Sequence, residues 1–180
     1  MYCVHRFIIT MAVELVKGDL LEIRGVDGIV HVVNCLCTKG HGLSLDIARK
    51  FPWGEIYSKR KPIKNRNLAV ESDRGVPGTI RQYKCAFLTV PTIVCFLAQW
   101  DYGKADREYG RKIPPYEDSK IQRTVWFTKC LDQLGKTDLK SVAFPYKIGC
   151  GLGGQNWNEY YHLIEEFAKS TGKKVLIVMK

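Results

Sequence analysis

The run Gly28-Ile29-Val30-His31-Val32-Val33-Asn34 constrains this chain more than any other stretch. It is β-branched and almost unbroken in apolarity, as suits a strand covered on both faces rather than one with a face to water. A glycine-bearing loop follows, Thr38-Lys39-Gly40-His41-Gly42. Leu43, Ile47, Ala48 and Phe51 then recur at helical spacing until Pro52 ends the run. Strand, loop and helix in that order form the building unit of a parallel α/β sheet.

The rest of the chain repeats this alternation. Val13 to Lys17, Thr79 to Lys84, Thr92 to Gln99, Ser141 to Ile148 and Val175 to Met179 read as strands. A short helix is expected over Trp53 to Lys59. A longer one is expected from Pro114-Pro115 to about Leu134, with Ile121, Val125, Cys130, Leu131 and Leu134 on its apolar side. A third runs from Trp157 to Ser170, with Leu163, Ile164 and Phe167 inward and Gly172 as its stop. The reading is α/β, a three-layer α/β/α arrangement with a mixed, mostly parallel central sheet. One domain is expected over 13–180, preceded by an extension of residues 1–12.

Composition narrows the partners. With 28 Lys+Arg against 18 Asp+Glu the net charge is +10, which points to an anionic partner. The densest basic run is residues 59–66, Lys-Arg-Lys-Pro-Ile-Lys-Asn-Arg, which reads as a solvated loop or as a nucleic-acid or polyanion contact. Seven cysteines, an odd number set mostly in apolar runs, suit reduced buried thiols and a cytoplasmic or nuclear location. Cys35-Leu36-Cys37 has no second pair at zinc spacing, so neither a metal nor a cofactor is expected. No stretch is long and apolar enough to cross a membrane, and the expected state is a monomer.

Two loops carry the chemistry. Residues 38–42 and Gly149-Cys150-Gly151-Leu152-Gly153-Gly154 each follow a strand and precede a helix. In a parallel sheet such loops emerge together at the carboxyl ends of the strands, where ligands bind. Glycine admits close approach, and bare N–H groups there hold phosphate oxygens. Neither loop has the spacing of the dinucleotide or P-loop motifs. A diphosphate clamped between them is one reading; tight turns packed by glycine are the other.

Val16-Lys17-Gly18-Asp19-Leu20, Ile29 to Asn34, Lys39-Gly40-His41-Gly42-Leu43, and Pro145 to Gly154 with Trp157 together resemble the macro domain pattern. The likeness spans about Val13 to Met179. The closing Ile148 to Gly154 with Trp157, and Phe96 to Gln99 with Tyr102-Gly103, are similar to the branch holding ADP-ribose-1″-phosphate phosphatases and ADP-ribosyl hydrolases. The resemblance implies that Asp19 accepts from the adenine amino group and that Leu20 lies beside the ring. It implies that Asn34 meets the distal ribose and that Gly40, Gly42 and Leu43 pass by that ribose and the diphosphate. The diphosphate loop would comprise Gly149, Cys150, Gly151, Leu152, Gly153 and Gly154. Gln99 is either a polar contact near the ribose or a strand-end surface residue. His41 stands where the family commonly has a small residue, and so is either a proton carrier beside Asn34 or solvent-facing.

Two departures bear on chemistry. De-ADP-ribosylating members of that branch use an Asp where this chain has Gly153, and some use a Lys where it has Ala98-Gln99-Trp100; the nearest Lys is Lys104. The resemblance implies binding of ADP-ribose or an ADP-ribosylated substrate. Hydrolysis of a 1″ derivative (ADP-ribose-1″-phosphate, O-acyl-ADP-ribose or an ADP-ribosylated macromolecule) is one expectation, with Asn34 and His41 positioning water. A non-catalytic reader is the second. A basic module contacting nucleic acid or poly-ADP-ribose through residues 59–66 is the third.

Overall fold

The computed structural model describes residues 13–87, 89–106 and 111–180; the expected N-terminal extension and Cys3 lie outside these. Among the described residues six strands are present: β1 (Val13–Lys17), β2 (Gly28–Asn34), β3 (Ile80–Tyr83), β4 (Thr92–Gln99), β5 (Ser141–Pro145) and β6 (Lys174–Met179). Three helices accompany them: α1 (Leu43–Lys50), α2 (Lys120–Gly135) and α3 (Trp157–Thr171). The sheet order is β1-β6-β5-β2-β4-β3, parallel throughout except for β3, which runs antiparallel on the β4 edge.

β2 and β4 lie inside the sheet, and the alternation of their side chains separates two layers. On one face Phe96 meets Phe127 of α2 at a centroid distance of 5.6 Å, and Phe127 stacks on Tyr160 of α3 at 4.1 Å. Such ring pairs contribute about 0.5–1.5 kcal/mol beyond their buried area. On the other face His31 reaches Ser44 of α1, and Ile93 lies under Gly54, where a Cβ would sit 2.6 Å from Ile93 Cγ1. The three-layer α/β/α reading therefore holds, with α1 facing α2 and α3 across the sheet.

Three expected elements change. β5 ends at Pro145, because Ile148 N–H donates to Pro145 O and turns the chain at once. The second helix begins at Lys120, not at Pro114-Pro115, because the Ser119 hydroxyl caps it by accepting from Gln122 N–H. Its inward face is Arg123, Trp126, Phe127, Cys130, Leu131 and Leu134, while Ile121 is 78% and Val125 40% exposed. The stacked Phe127 and a fully paired Arg123 set the phase instead. The helix expected over Trp53 to Lys59 is only a 3₁₀ turn, Pro52–Gly54. The Glu55 carboxylate then accepts from Tyr57 and Ser58 N–H, satisfying donors that a helix would have used.

The basic run also divides. Arg60 is buried and donates to Asn34 O and Cys37 O, while Lys61, Lys64 and Arg66 stay exposed around a hairpin closed by the Pro62–Ala69 bridge. All six described cysteines are free, four of them buried.

Candidate functional site

β2 and β4 pair in register through Val33–Leu97, and then Asn34 pairs with Gln99. Ala98 is the extra residue of a bulge, so two polar side chains are set next to each other at the carboxyl ends of the central strands. They open into a cleft of about 410 Å³ lined by residues from both glycine loops. Asn34, His41, Gly42, Leu43, Gln99, Gly149, Gly151, Leu152 and Gly153 of the expected site all line it.

The first loop delivers helix α1. Gly42, at φ 55°, is its N-cap and offers no side chain to the turn. Helix geometry leaves the N–H groups of Leu43 and Ser44 without intrahelical acceptors, and both residues border the cleft. An anion there meets free donors and the positive end of the helix dipole. The second loop faces it: Leu152 Cδ1 lies 3.8 Å from where a Cβ on Gly42 would stand. Within that loop Cys150 N–H turns back on Lys147 O and Gly154 N–H on Gly151 O. Among the described residues the N–H groups of Gly151, Leu152 and Gly153 have no acceptor. The arrangement presents main-chain donors from two sides and suits a diphosphate.

Other expected residues stand beside the cleft or apart from it. A Cβ on Gly40 would touch the Tyr57 ring at 3.0 Å, and one on Gly154 would touch Lys104 Cγ at 3.0 Å. Lys104 therefore lies against the 149–154 loop, although β4 brings no lysine of its own. Asp19 is exposed, accepts from Leu21 N–H at 2.9 Å and lies 3.8 Å from Lys180 Nζ; Leu20 beside it is buried. Cys150 turns its thiol to Ile148 O, and burial pushes its pKa up to about 11, opposite to the lowering that activates a thiol. Trp157 meets Tyr146, a cleft residue, edge to face at 5.1 Å, in keeping with a packing role.

No described residue lining the cleft is Asp or Glu. Gly153 is the reason at one position. A Cβ there would come closer than 3.0 Å to both Gly149 O and Gln99 Nε2. The backbone carbonyl has no rotamer with which to retreat, so a carboxylate at 153 requires a different loop.

Two residues that support the site, Tyr57 and Arg123, are not among the residues expected from the sequence. Tyr57 accepts from Asn34 N–H at 3.1 Å and from Nδ2 at 3.3 Å, because the turn at Pro52–Gly54 brings it back over the end of β2. Arg123, fully buried, donates to both Asp118 carboxylate oxygens at 2.6 Å, to Gly103 O at 2.7 Å, to Asp101 O at 3.1 Å and to Gly153 O at 3.2 Å. One guanidinium thus ties the segment after β4 to the 149–154 loop. An arginine three residues before Trp126 and four before Phe127, on an apolar helix face, is a visible flag for such a partner.

A larger cleft of about 930 Å³ lies at the opposite end of the sheet. Two of its lysines are already engaged, Lys50 with Glu22 at 2.6 Å and Lys84 with Asp138 at 3.5 Å. It also lacks the carboxyl ends of the parallel strands and the α1 N-terminus, so the smaller cleft is the candidate site. Among the described residues no cluster suits a metal ion, and no helix is long and apolar enough to cross a membrane.

No family model matches the chain. It is 24% identical over 166 residues to a Bos taurus protein named ADP-ribose glycohydrolase OARD1, a match covering 92% of this chain and 90% of that protein. Among solved structures, the macrodomain of Thermus aquaticus DarG matches at TM-score 0.64 and 23% identity, over 93% of this chain and 97% of that one. A Trypanosoma brucei macrodomain solved in complex with ADP-ribose matches at TM-score 0.57 and 15% identity, over 93% of this chain and 63% of that one. This chain has the macro domain fold.

Proposed function

We propose that the protein binds ADP-ribose in the cleft and hydrolyses a derivative substituted at C1″ of the distal ribose. The observation that carries the reading is the pair of facing glycine loops, whose free N–H groups border the Asn34–Gln99 end of the sheet. The likeness to a protein named for ADP-ribose glycohydrolysis, and to a fold solved with ADP-ribose, supports the same ligand.

In this reading the α1 N-terminus and the 149–154 loop hold the diphosphate. Asn34 Oδ1 is taken by Cys37 N–H at 2.8 Å, so its amide nitrogen is the group left for the ribose. Water adds to C1″, the bond from C1″ to the departing oxygen or nitrogen breaks, and the water proton ends on the departing group. The described cleft lining supplies no carboxylate base, so the acceleration rests on positioning and on fixed donors at the charge that develops. His41 borders the cleft and is the candidate proton carrier.

The bare lining at Gly153 favours one competing reading, a reader that binds without turnover. Calorimetry with ADP-ribose, followed by assays on ADP-ribose-1″-phosphate and on ADP-ribosylated protein and DNA with the same sample, separates the two. No heat removes both readings; binding with background turnover on all three substrates leaves the reader. A contact with polyanions through Lys61, Lys64 and Arg66 predicts that poly-ADP-ribose or nucleic-acid affinity falls steeply with salt. A flat response removes that contact.

A further inference from the structure

One lysine on the cleft rim has a backbone conformation that its side chain does not favour. Among the described residues four that are not glycine have positive φ: Lys64 at 45°, Asn65 at 60°, Asp106 at 54° and Lys147 at 56°. Such angles crowd Cβ against a neighbouring carbonyl, so a side chain that persists there has a local reason or a functional one. Lys64 and Asn65 are the central residues of a hairpin turn in which Arg66 N–H donates to Ile63 O, and positive φ at both is what such a turn requires. The Asp106 carboxylate accepts from Lys120 N–H at 3.0 Å. Of the four, Lys147 is the one that borders the cleft.

The angle at 147 comes from the turn that ends β5. Ile148 N–H donates to Pro145 O at 3.1 Å, which makes Lys147 the third residue of the turn, a place that glycine or asparagine fills with less strain. Cys150 N–H then returns to Lys147 O at 3.0 Å, and the 149–154 loop begins. The turn explains the angle but not the lysine. Its surroundings explain the lysine. The Lys147 ammonium lies over the Tyr146 ring, 5.3 Å from the centroid, and Trp157 meets that ring edge to face at 5.1 Å. Tyr146 and Lys147 line the cleft together with Gly149, Gly151 and Gly153. Among the described residues Lys147 takes part in no ion pair. It is also the one lysine or arginine among the described lining residues.

We propose that Lys147 is the cationic contact of the ligand, its ammonium pairing with the diphosphate, and that the strained backbone at 147 is the means of placing it. The proposal rests on the cleft being the ADP-ribose site. There a dianion otherwise meets neutral N–H donors and the α1 dipole, and an ammonium on the rim supplies the full charge that these lack. The Tyr146 ring keeps the ammonium at the cleft before the ligand arrives, which lowers the ordering cost of binding.

Three substitutions separate charge from strain. Lys147→Arg keeps both, Lys147→Gln keeps the strain and drops the charge, and Lys147→Gly drops both. Calorimetric titration with ADP-ribose and with ADP gives affinity, and scanning calorimetry gives Tm. Lys147→Gln and Lys147→Gly lose about fivefold to tenfold in affinity for both ligands, the size of one charge-assisted bond at a wet rim, whereas Lys147→Arg stays within about threefold of wild type. Added salt weakens ADP-ribose binding less in Lys147→Gln than in wild type, because one screened contact is gone. Lys147→Gly melts about 1–4 °C above wild type although it binds more weakly, and Lys147→Gln melts within about 1 °C of it. Wild-type affinity in Lys147→Gln overturns the proposal. So does a Tm in Lys147→Gly at or below that of wild type, which removes the strain, and so does a loss confined to ADP-ribose, which takes the cation away from the diphosphate. Absence of ADP-ribose binding by the wild type instead overturns the assignment of the cleft, and the inference with it.

Discussion

Replacing Arg123 by Met tests whether one buried guanidinium sets the geometry of the cleft. Arg123 is fully buried, and five hydrogen bonds take up its donors: two to the Asp118 carboxylate and one each to Asp101 O, Gly103 O and Gly153 O. Methionine fills the space of the stem but serves none of these acceptors. Breaking a buried ion pair from one side costs about 3–5 kcal/mol. Asp118 is 19% exposed and keeps Trp100 and Asp101 N–H at 3.3 and 3.0 Å, which holds that part near the lower end. Each stranded carbonyl adds about 1 kcal/mol where water does not reach it. With the buried Asp101 O and Gly153 O stranded the sum is about 5 kcal/mol, and at 180 residues each kcal/mol moves Tm by about 2–4 °C, so the variant melts about 10–20 °C lower. Arg123→Lys keeps the charge but not the fork, and recovers less than half. Scanning calorimetry gives the shift. ADP-ribose affinity, measured well below the melt, falls with it because Gly103 and Gly153 both line the cleft. A Tm within 3 °C of wild type, or intact affinity in a protein melting 10 °C lower, refutes the clamp.

Gly153→Asp restores the residue type used by hydrolases of the resembled branch, yet it is expected to lower both stability and ADP-ribose affinity, because its Cβ overlaps Gly149 O. A rise in turnover on any 1″ derivative contradicts the geometry. Asp19→Ala removes a carboxylate that caps a 3₁₀ turn. The cap is worth about 1 kcal/mol, so Tm moves little, whereas ADP-ribose titration shows at least a tenfold loss if Asp19 meets the adenine. Acid stability reports on His31. Its pKa in the fold is lowered to about 4 by burial, against 6.5 ordinarily. The unfolded chain therefore takes up a proton that the fold refuses, and the stability present above pH 6.5 is lost as pH falls toward 4. Urea melts at pH 7.5 and pH 5 show wild type losing about 2 kcal/mol more than His31→Asn over that interval. Equal losses refute the buried neutral histidine.

The regular elements were legible because their signals are local. β1, β2 and β4 fall where the apolar runs place them, and Gly172, with φ 68°, ends α3 as a left-handed residue should. Both glycine loops were legible for the same reason: a strand, several glycines and a helix in order dictate a loop at the carboxyl end of a sheet. The phase of α2 was not legible, because it depends on Arg123 finding acceptors in segments 5 to 30 residues away. Nor was the fate of Arg60 within the basic run, which two carbonyls at the end of β2 draw inward.

The sequence by itself determined the fold class, the strand–loop–helix order and the two glycine loops, all consequences of side-chain periodicity and of glycine within a few residues. Only the tertiary structure decided which polar atoms are free to act. The Ala98 bulge sets Gln99 beside Asn34, the turn after Pro52 brings Tyr57 onto Asn34, and the closeness of Gly149 O keeps position 153 bare. Each depends on atoms brought together from distant parts of the chain, and hydrogen-bond satisfaction is settled only among atoms that meet.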